Sequence, residues 1–275
     1  MKLVSFSASD GLICPGVLLD DNSVVDLAAH GYADTRAVIA AGLTTPPTGP
    51  LIAADQIRLH APLSDPPRVF AIGLNYRDHA RESGMAIPAV PVIFFKLPSA
   101  IIGPGEPIIL PRNSTEPDYE AEFAFVIGEG GFRIPATSWR EHVYGYTIVN
   151  DVSARDVQFA TSQWSMAKSF RTFCPLGPAI VTADEIADPH QLAIALTIDG
   201  VIHQNSNTRE LNFKIPDLIE YISSITPLLP GDIVSTGTPS GVGLGRTPKR
   251  WLKPGETVTI TVERLGSLTN PVCAE

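Results

Sequence analysis

Over most of this chain apolar and polar positions alternate with a period of two or gather in short apolar blocks, and both patterns predict strands. Near the start, KLVSFS, GVLLD and SVVDL group their apolar residues around turn signals, while TRAVIAAGL has helical spacing. The Pro- and Gly-rich stretches TTPPTGP and APLSDPPR follow and place a boundary near residues 62 to 67. From Val69 onward strand-like runs dominate: VFAIG, VIFF, EAEFAFVIG, YGYTIVND, PAIVT, LAIALTIDG, DIVSTG and TVTITVE. Helices are few, the best being PDLIEYISSI, with Pro216 in a first turn where its missing N–H is tolerated. Strands and long helices do not alternate regularly, which argues against a doubly wound sheet. The expectation is a small N-terminal α+β domain over residues 1–64 and a larger domain, mainly β with some α, over residues 65–275. No internal repeat or low-complexity segment interrupts it.

Composition narrows the class. A chain of 275 residues, 44% hydrophobic and 18% charged, can bury a sizeable core. Its net charge of −9 comes without a cluster of Lys and Arg, so nucleic acid is not an expected partner. The N-terminus lacks an apolar signal region and no run approaches a membrane span, which makes a cytoplasmic protein without membrane contact the expectation. Cys14, Cys174 and Cys273 are widely separated and odd in number, arguing against a disulfide framework and for reduced thiols.

The chemistry begins with carboxylates. In a strand, Glu120 and Glu122 share one face, while Ala121, Phe123, Phe125 and Ile127 share the other, apolar one. Neighbouring acids on a half-buried strand repel and raise each other's pKa unless a cation or proton sits between them. For an isolated E-x-E pair a solvated strand face is the simpler reading. Asp151, at the end of the apolar run GYTIVND, shifts the balance: three oxygen ligands without a nearby Cys or His pair suit Mg²⁺ or Mn²⁺, with Ca²⁺ a possible substitute in crystals.

His79 and Glu82 lie at i and i+3 of a short helix, so the carboxylate can orient the imidazole as a general base; a surface pair is the competing reading. Ser83, Gly84 and Met85 then end the helix in a loop, as a lid would. Lys168 stands among Trp164, Met166 and Phe170, either partly desolvated at the site or snorkelling at a helix end. The stretch Thr236 to Gly243 is rich in glycine but lacks the GK[ST] of a phosphate loop; its amides and the Thr238 hydroxyl can still receive a carboxylate. Neither G-x-S-x-G nor HExxH occurs. His30, His60, His142, His190 and His203 receive no role.

At these residues the chain resembles the fumarylacetoacetate hydrolase family, in its branch of acylpyruvase-like and 2-hydroxyhepta-2,4-diene-1,7-dioate isomerase-like enzymes. AIGLNYRDHARE, FFKLPSAIIGPGEPIILP, the EAE pair, NDVSARDVQ, AKSFRTFCPLGP, STGTPSGVG and GSLTNPV stand in the family's order, from about Pro67 to Val272. The likeness does not extend over residues 1–64. It implies a β-roll or folded-sheet catalytic domain and a His79 and Glu82 dyad on a segment that orders over substrate. It further implies Lys168 at the substrate's oxo or carboxylate oxygen, and Arg155, Gln158, Thr238 and Gly237 on the substrate side. A homodimer is implied by the resemblance alone.

Together these features predict a Mg²⁺- or Mn²⁺-dependent hydrolase. Glu120, Glu122 and Asp151 would hold the cation, and water activated by His79 would cleave a C–C bond of a 2,4-dioxo acid into a 2-oxo acid and a carboxylic acid. Such an activity would serve catabolism of aromatic or sugar-acid compounds. Oxaloacetate decarboxylation and isomerisation or tautomerisation of a ring-cleavage product use the same site and stay open. A non-catalytic metal-binding interaction module would need neither Lys168 nor the dyad. Specificity for the substrate tail is expected around residues Met85 to Val92.

Overall fold

The structure is a computed structural model that describes residues 1–8, 11–21, 23–84 and 86–275. Met85, expected in the specificity loop, lies outside the described residues. In chain order the elements begin with β1 (Lys2–Ser7), β2 (Ile13–Leu18), β3 (Ser23–Asp26), α1 (Thr35–Ala40), β4 (Leu51–Ala53) and β5 (Arg58–His60). There follow β6 (Val69–Gly73), α2 (Arg77–Ser83), β7 (Val92–Lys96), β8 (Ile101–Ile102), β9 (Ile108–Leu110), β10 (Pro117–Asp118) and β11 (Ala121–Ile127). Next come α3 (Trp139–His142), β12 (Val143–Asn150), β13 (Ser153–Ala154), α4 (Arg155–Gln158) and β14 (Cys174–Thr182). The chain closes with β15 (Ala193–Ile198), β16 (Val201–Asn207), α5 (Ile215–Ile225), β17 (Ile233–Ser235), β18 (Thr257–Val262) and β19 (Gly266–Ala274). Each run named as a strand from Val69 onward forms one, so the fold is mainly β with a few helices.

The large sheet runs β4-β3-β2-β1-β14-β12-β11-β17-β6-β7, with β5 added to β1 and β8 to β14. Its N-terminal strands pair directly with the rest, Lys2 opposite Val181, so hydrogen bonding continues across the Pro-rich boundary. A second sheet, β16-β15-β18-β19-β9, packs on one face of the first. Between them lie Phe123, Phe125, Ile148, Leu196 and Ile260 with Leu218 and Ile222 of α5. That helix buries Ile215, Leu218, Ile219 and Ile222, a single stripe at helical spacing, and Asp217 accepts the Lys214 amide at its start. On the opposite face Ala124, Val126 and Val149 meet Leu3, Val17 and Val38.

β11 is therefore buried on both faces, and this corrects the half-buried strand expected from its alternation. Period-two patterning places the two acids on one side, but it does not show that a further layer of the same chain covers that side. No helix among the described residues is long and apolar enough to cross a membrane. Cys14, Cys174 and Cys273 form no disulfide, and burial pushes the Cys174 thiol up to about 12, leaving it inert as a nucleophile.

Candidate active site

Adjacent central strands bring the three acids together. Glu122 lies on β11, Glu120 immediately precedes that strand, and Asp151 follows β12, whose Asn150 is in register with Ala121. Ligand oxygens of Glu120, Glu122 and Asp151 lie within 4.8 Å of one another, and all three residues are buried. Removing carboxylates from water is costly unless they are paired, and three cations do most of that here. Lys168 Nζ stands 2.9 Å from Glu120 Oε2 and 2.7 Å from Asp151 Oδ2. Lys96 Nζ lies 2.6 Å from Asp151 Oδ1 and also bonds the Lys168 carbonyl. Arg155 Nη2 lies 2.5 Å from Glu120 Oε1 and 2.9 Å from Asp118 Oδ2, as charge contacts without hydrogen-bond alignment.

These partners split the two glutamates. Burial raises the pKa of Glu120, but Lys168 and Arg155 outweigh it and hold the carboxyl below its usual range. Glu122 has no cation paired with it among the described residues; Ser235 Oγ donates to it at 2.5 Å and the Gly237 amide at 3.1 Å. Burial, then the charges of Asp151 and Glu120, push Glu122 from 4.5 up to about 8. Buried oxygen donors with uncompensated negative charge fit a hard divalent cation, which these three residues would hold. The Tyr76 hydroxyl is fully buried with no hydrogen-bond partner among the described residues, and burial, then the charges of Glu122 and Asp78, push its pKa up.

The site's other walls come from loops. A cavity of about 70 Å³ is lined by the two glutamates, Lys168, His79, Arg155, Gln158 and Thr238, together with Leu74, Phe94, Trp164 and Leu244. Open ligand sites are typically about 300 Å³ or more, so this volume fits a site whose covering helix is docked. A larger groove of about 550 Å³ between β1 and Ile186 does not include the acid cluster.

That covering helix is α2. Its His79 Nδ1 lies 3.3 Å from Glu82 Oε2, while the Glu82 carboxylate accepts the Gly241 amide at 2.9 and 3.1 Å. Ser206 Oγ donates to Asp78 Oδ2 at 2.7 Å and pins the same helix from β16. The surface-pair reading of the dyad is thus replaced by a docked pair with His79 facing the cavity. Upstream, Leu74 takes a left-handed φ of 55°, a conformation that costs most residues about 1 kcal/mol. Buried Asn75 holds it there, giving Nδ2 to the Phe213 and Thr236 carbonyls and receiving the Phe213 amide.

Several expected roles change in detail. Lys168 is fully buried in a turn after Trp164, not snorkelling at a helix end. Arg155 is occupied by Asp118, Glu120 and Gln158, whose Oε1 accepts Nη1 at 2.9 Å; both residues line the cavity while holding its acids in place. The Gly237 amide, expected to receive substrate, is given to Glu122, and the Thr238 hydroxyl accepts from Gln204 at 2.8 Å. Gly237 has φ of 100°, and an added Cβ would lie 2.9 Å from the Ile72 carbonyl oxygen. Gly237→Ala is therefore expected to cost about 1 to 3 kcal/mol in urea denaturation; an unchanged midpoint would refute that tight fit.

Sequence reasoning missed Lys96 and Asp118. Each had a signal: Lys96 shares the inward strand face of Phe94 in VIFFK, and Asp118 stands two residues before the first glutamate.

The family description fumarylacetoacetate hydrolase C-terminal matches residues 68–273. A mitochondrial oxaloacetate tautomerase of Xenopus laevis is 41% identical over 99% of this chain and 90% of its own. The 5-carboxymethyl-2-hydroxymuconate delta-isomerase of Mycobacterium smegmatis is 38% identical, covers 100% of both chains and superimposes with a TM-score of 0.85. Maleylpyruvate hydrolase of Sphingobium sp. SYK-6, solved with manganese and pyruvate, is 28% identical with a TM-score of 0.82 over 100% of this chain and 99% of its own. With the family description matched over residues 68–273 and a relative 41% identical along 99% of its length, this chain belongs to the fumarylacetoacetate hydrolase family.

Proposed function

We propose that the protein is a divalent-metal-dependent enzyme that moves a proton between the keto and enol forms of a small 2-oxo acid, with oxaloacetate as the substrate class. The observation that carries this reading is that one cavity is lined by Glu120, Glu122, the Lys168 ammonium and the His79 imidazole, with Asp151 in the same acid cluster and paired with Lys168. A bound Mg²⁺ or Mn²⁺ would supply positive charge against which enolate character develops at the oxo oxygen. His79 takes the proton from the carbon next to the carbonyl, with Glu82 at Nδ1 leaving Nε2 as the basic atom. Lys168 is held charged, since Asp151 and Glu120 raise its pKa against the effect of burial, and it donates toward the same oxygen. The docked α2 excludes water. The names of the Xenopus relative and the Mycobacterium structure support proton transfer as the reaction type.

Hydrolysis of a 2,4-dioxo acid is the second reading. It is favoured by the same dyad, because an imidazole oriented by a carboxylate also activates water, and by the hydrolase among the similar structures. A panel of enol-oxaloacetate, keto-oxaloacetate and acylpyruvates, assayed with EDTA and then with Mg²⁺ or Mn²⁺, separates the two. Metal-dependent ketonisation of enol-oxaloacetate, with slow acylpyruvate cleavage, is the expected result. Cleavage as the faster reaction would select the hydrolase, and EDTA-insensitive turnover would sink both. A homodimer is proposed on resemblance and would show as twice the chain mass in light scattering.

A further inference from the structure

We propose that Asp118 is a positioning residue that holds the loop receiving the lid helix at a fixed place relative to Glu120. The proposal rests on reading α2 as that lid. Asp118 is fully buried and its two oxygens are shared between opposite sides of the site. Oδ1 accepts the amides of Gly243 at 2.7 Å and Tyr119 at 2.9 Å. Oδ2 accepts the Leu244 amide at 3.0 Å and Arg155 Nε at 2.9 Å, and that guanidinium is the one touching Glu120. One carboxylate thus joins the acid cluster to the loop.

The loop in turn carries the lid. Gly241 donates its amide to Glu82 and its carbonyl accepts from the Tyr119 hydroxyl at 3.2 Å, so one residue is held from the lid and from the residue next to Asp118. Leu244, in the short 3-10 helix Gly243–Gly245, lines the same cavity as His79. The fit leaves no slack: a Cβ on Gly243 would lie 2.6 Å from Asp118 Oδ1, and one on Gly241 would lie 2.2 Å from the His203 carbonyl oxygen. Asp118, Tyr119 and Glu120 are consecutive, so a shift at the loop is felt at the carboxylate cluster through a single peptide segment.

The chemistry of the carboxylate makes this testable. Both oxygens of Asp118 face donors, so in Asp118→Asn either amide orientation sets an NH₂ against two N–H groups. Hydrogen exchange is read over Arg77–Ser83 with oxalate and Mg²⁺ present. In Asp118→Asn it should rise on the order of tenfold over wild type, as loss of a charge-assisted hydrogen bond at a docking loop allows. Exchange in β11 and β12 should stay at the wild-type level, and the Mg²⁺-induced rise in Tm should persist because Glu120, Glu122 and Asp151 are untouched.

Tyr119→Phe, which removes the hydroxyl that donates to the Gly241 carbonyl and also meets His203 Nδ1 and Arg246 Nε, should move lid exchange in the same direction and decides the matter if Asp118→Asn does not fold. Wild-type lid exchange in both variants overturns the proposal. So does a rise shared equally by β11 and β12, which is general loosening. Absence of oxalate-dependent protection in the wild type would instead remove the lid reading itself.

Discussion

Glu122→Gln is expected to abolish divalent-cation binding and turnover together, while leaving the metal-free protein at least as stable as wild type near neutral pH. Glu122 is the acid of the cluster without an ion-pair partner among the described residues, and both its hydrogen bonds go to one oxygen, Oε2. A glutamine carbonyl can accept from Ser235 and Gly237 in the same place, so the fold loses little. What disappears is a negative charge that burial, Asp151 and Glu120 disfavour.

The sign follows from linkage. With its pKa raised from 4.5 to about 8, the folded state binds more protons than the unfolded state between those values. Wild-type apoprotein therefore loses stability as pH rises through that window, by at most about 1.4 kcal/mol per pH unit, and the glutamine variant does not. Melting EDTA-treated wild type and variant at about pH 6 and about pH 8 should show the variant gaining on wild type at the higher pH. Added Mg²⁺ should raise the wild-type Tm more at the higher pH, because the ion competes with that proton, and should not move the variant. A retained Mg²⁺-dependent shift in Glu122→Gln would sink the assignment of this ligand.

The second large effect is at the base. His79→Ala is expected to slow enol–keto conversion and acylpyruvate cleavage by roughly 10² to 10⁴, the usual contribution of a positioned general base. Decarboxylation of oxaloacetate draws on the cation and on Lys168 and needs no proton abstraction from carbon or water, so it should survive far better. Lys168→Met should damage all three reactions. His79 is the cleaner probe of the dyad because Glu82 also docks the lid on Gly241; Glu82→Gln should therefore disturb lid closure as well as rate. Wild-type ketonisation in His79→Ala would show that another group, or the cation alone, transfers the proton.

Much of this arrangement was legible in the residues. Alternating or apolar runs marked β6, β7, β11, β12, β14, β15, β17 and β18 because a sheet repeats every two residues whatever it packs against, whereas β16 and the short β8, β9, β10 and β13 carried no such run. The same period put Glu120 and Glu122 on one face, and the i, i+3 spacing placed His79 against Glu82 on one helical turn. The end of the apolar run GYTIVND marked Asp151, and the family resemblance favoured a site role for Lys168 over a snorkelling one.

Other features depended on contacts that local pattern does not encode. The N-terminal strands continue the large sheet through β1 and β14, residues about 180 positions apart, and thereby bury the acid-bearing face. Which acid carries the excess charge was also decided at a distance: Lys96, Arg155 and Lys168 converge on Asp151 and Glu120 and leave Glu122 without a cation. Gly237 and Arg155, expected on the substrate side, also bond or pair with the acids beside them, since a buried carboxylate takes the nearest donors. Sequence by itself determined the elements and the chemical types at the site; tertiary structure decided their pairing, because the energies of buried charges are set by neighbours across the fold and not along the chain.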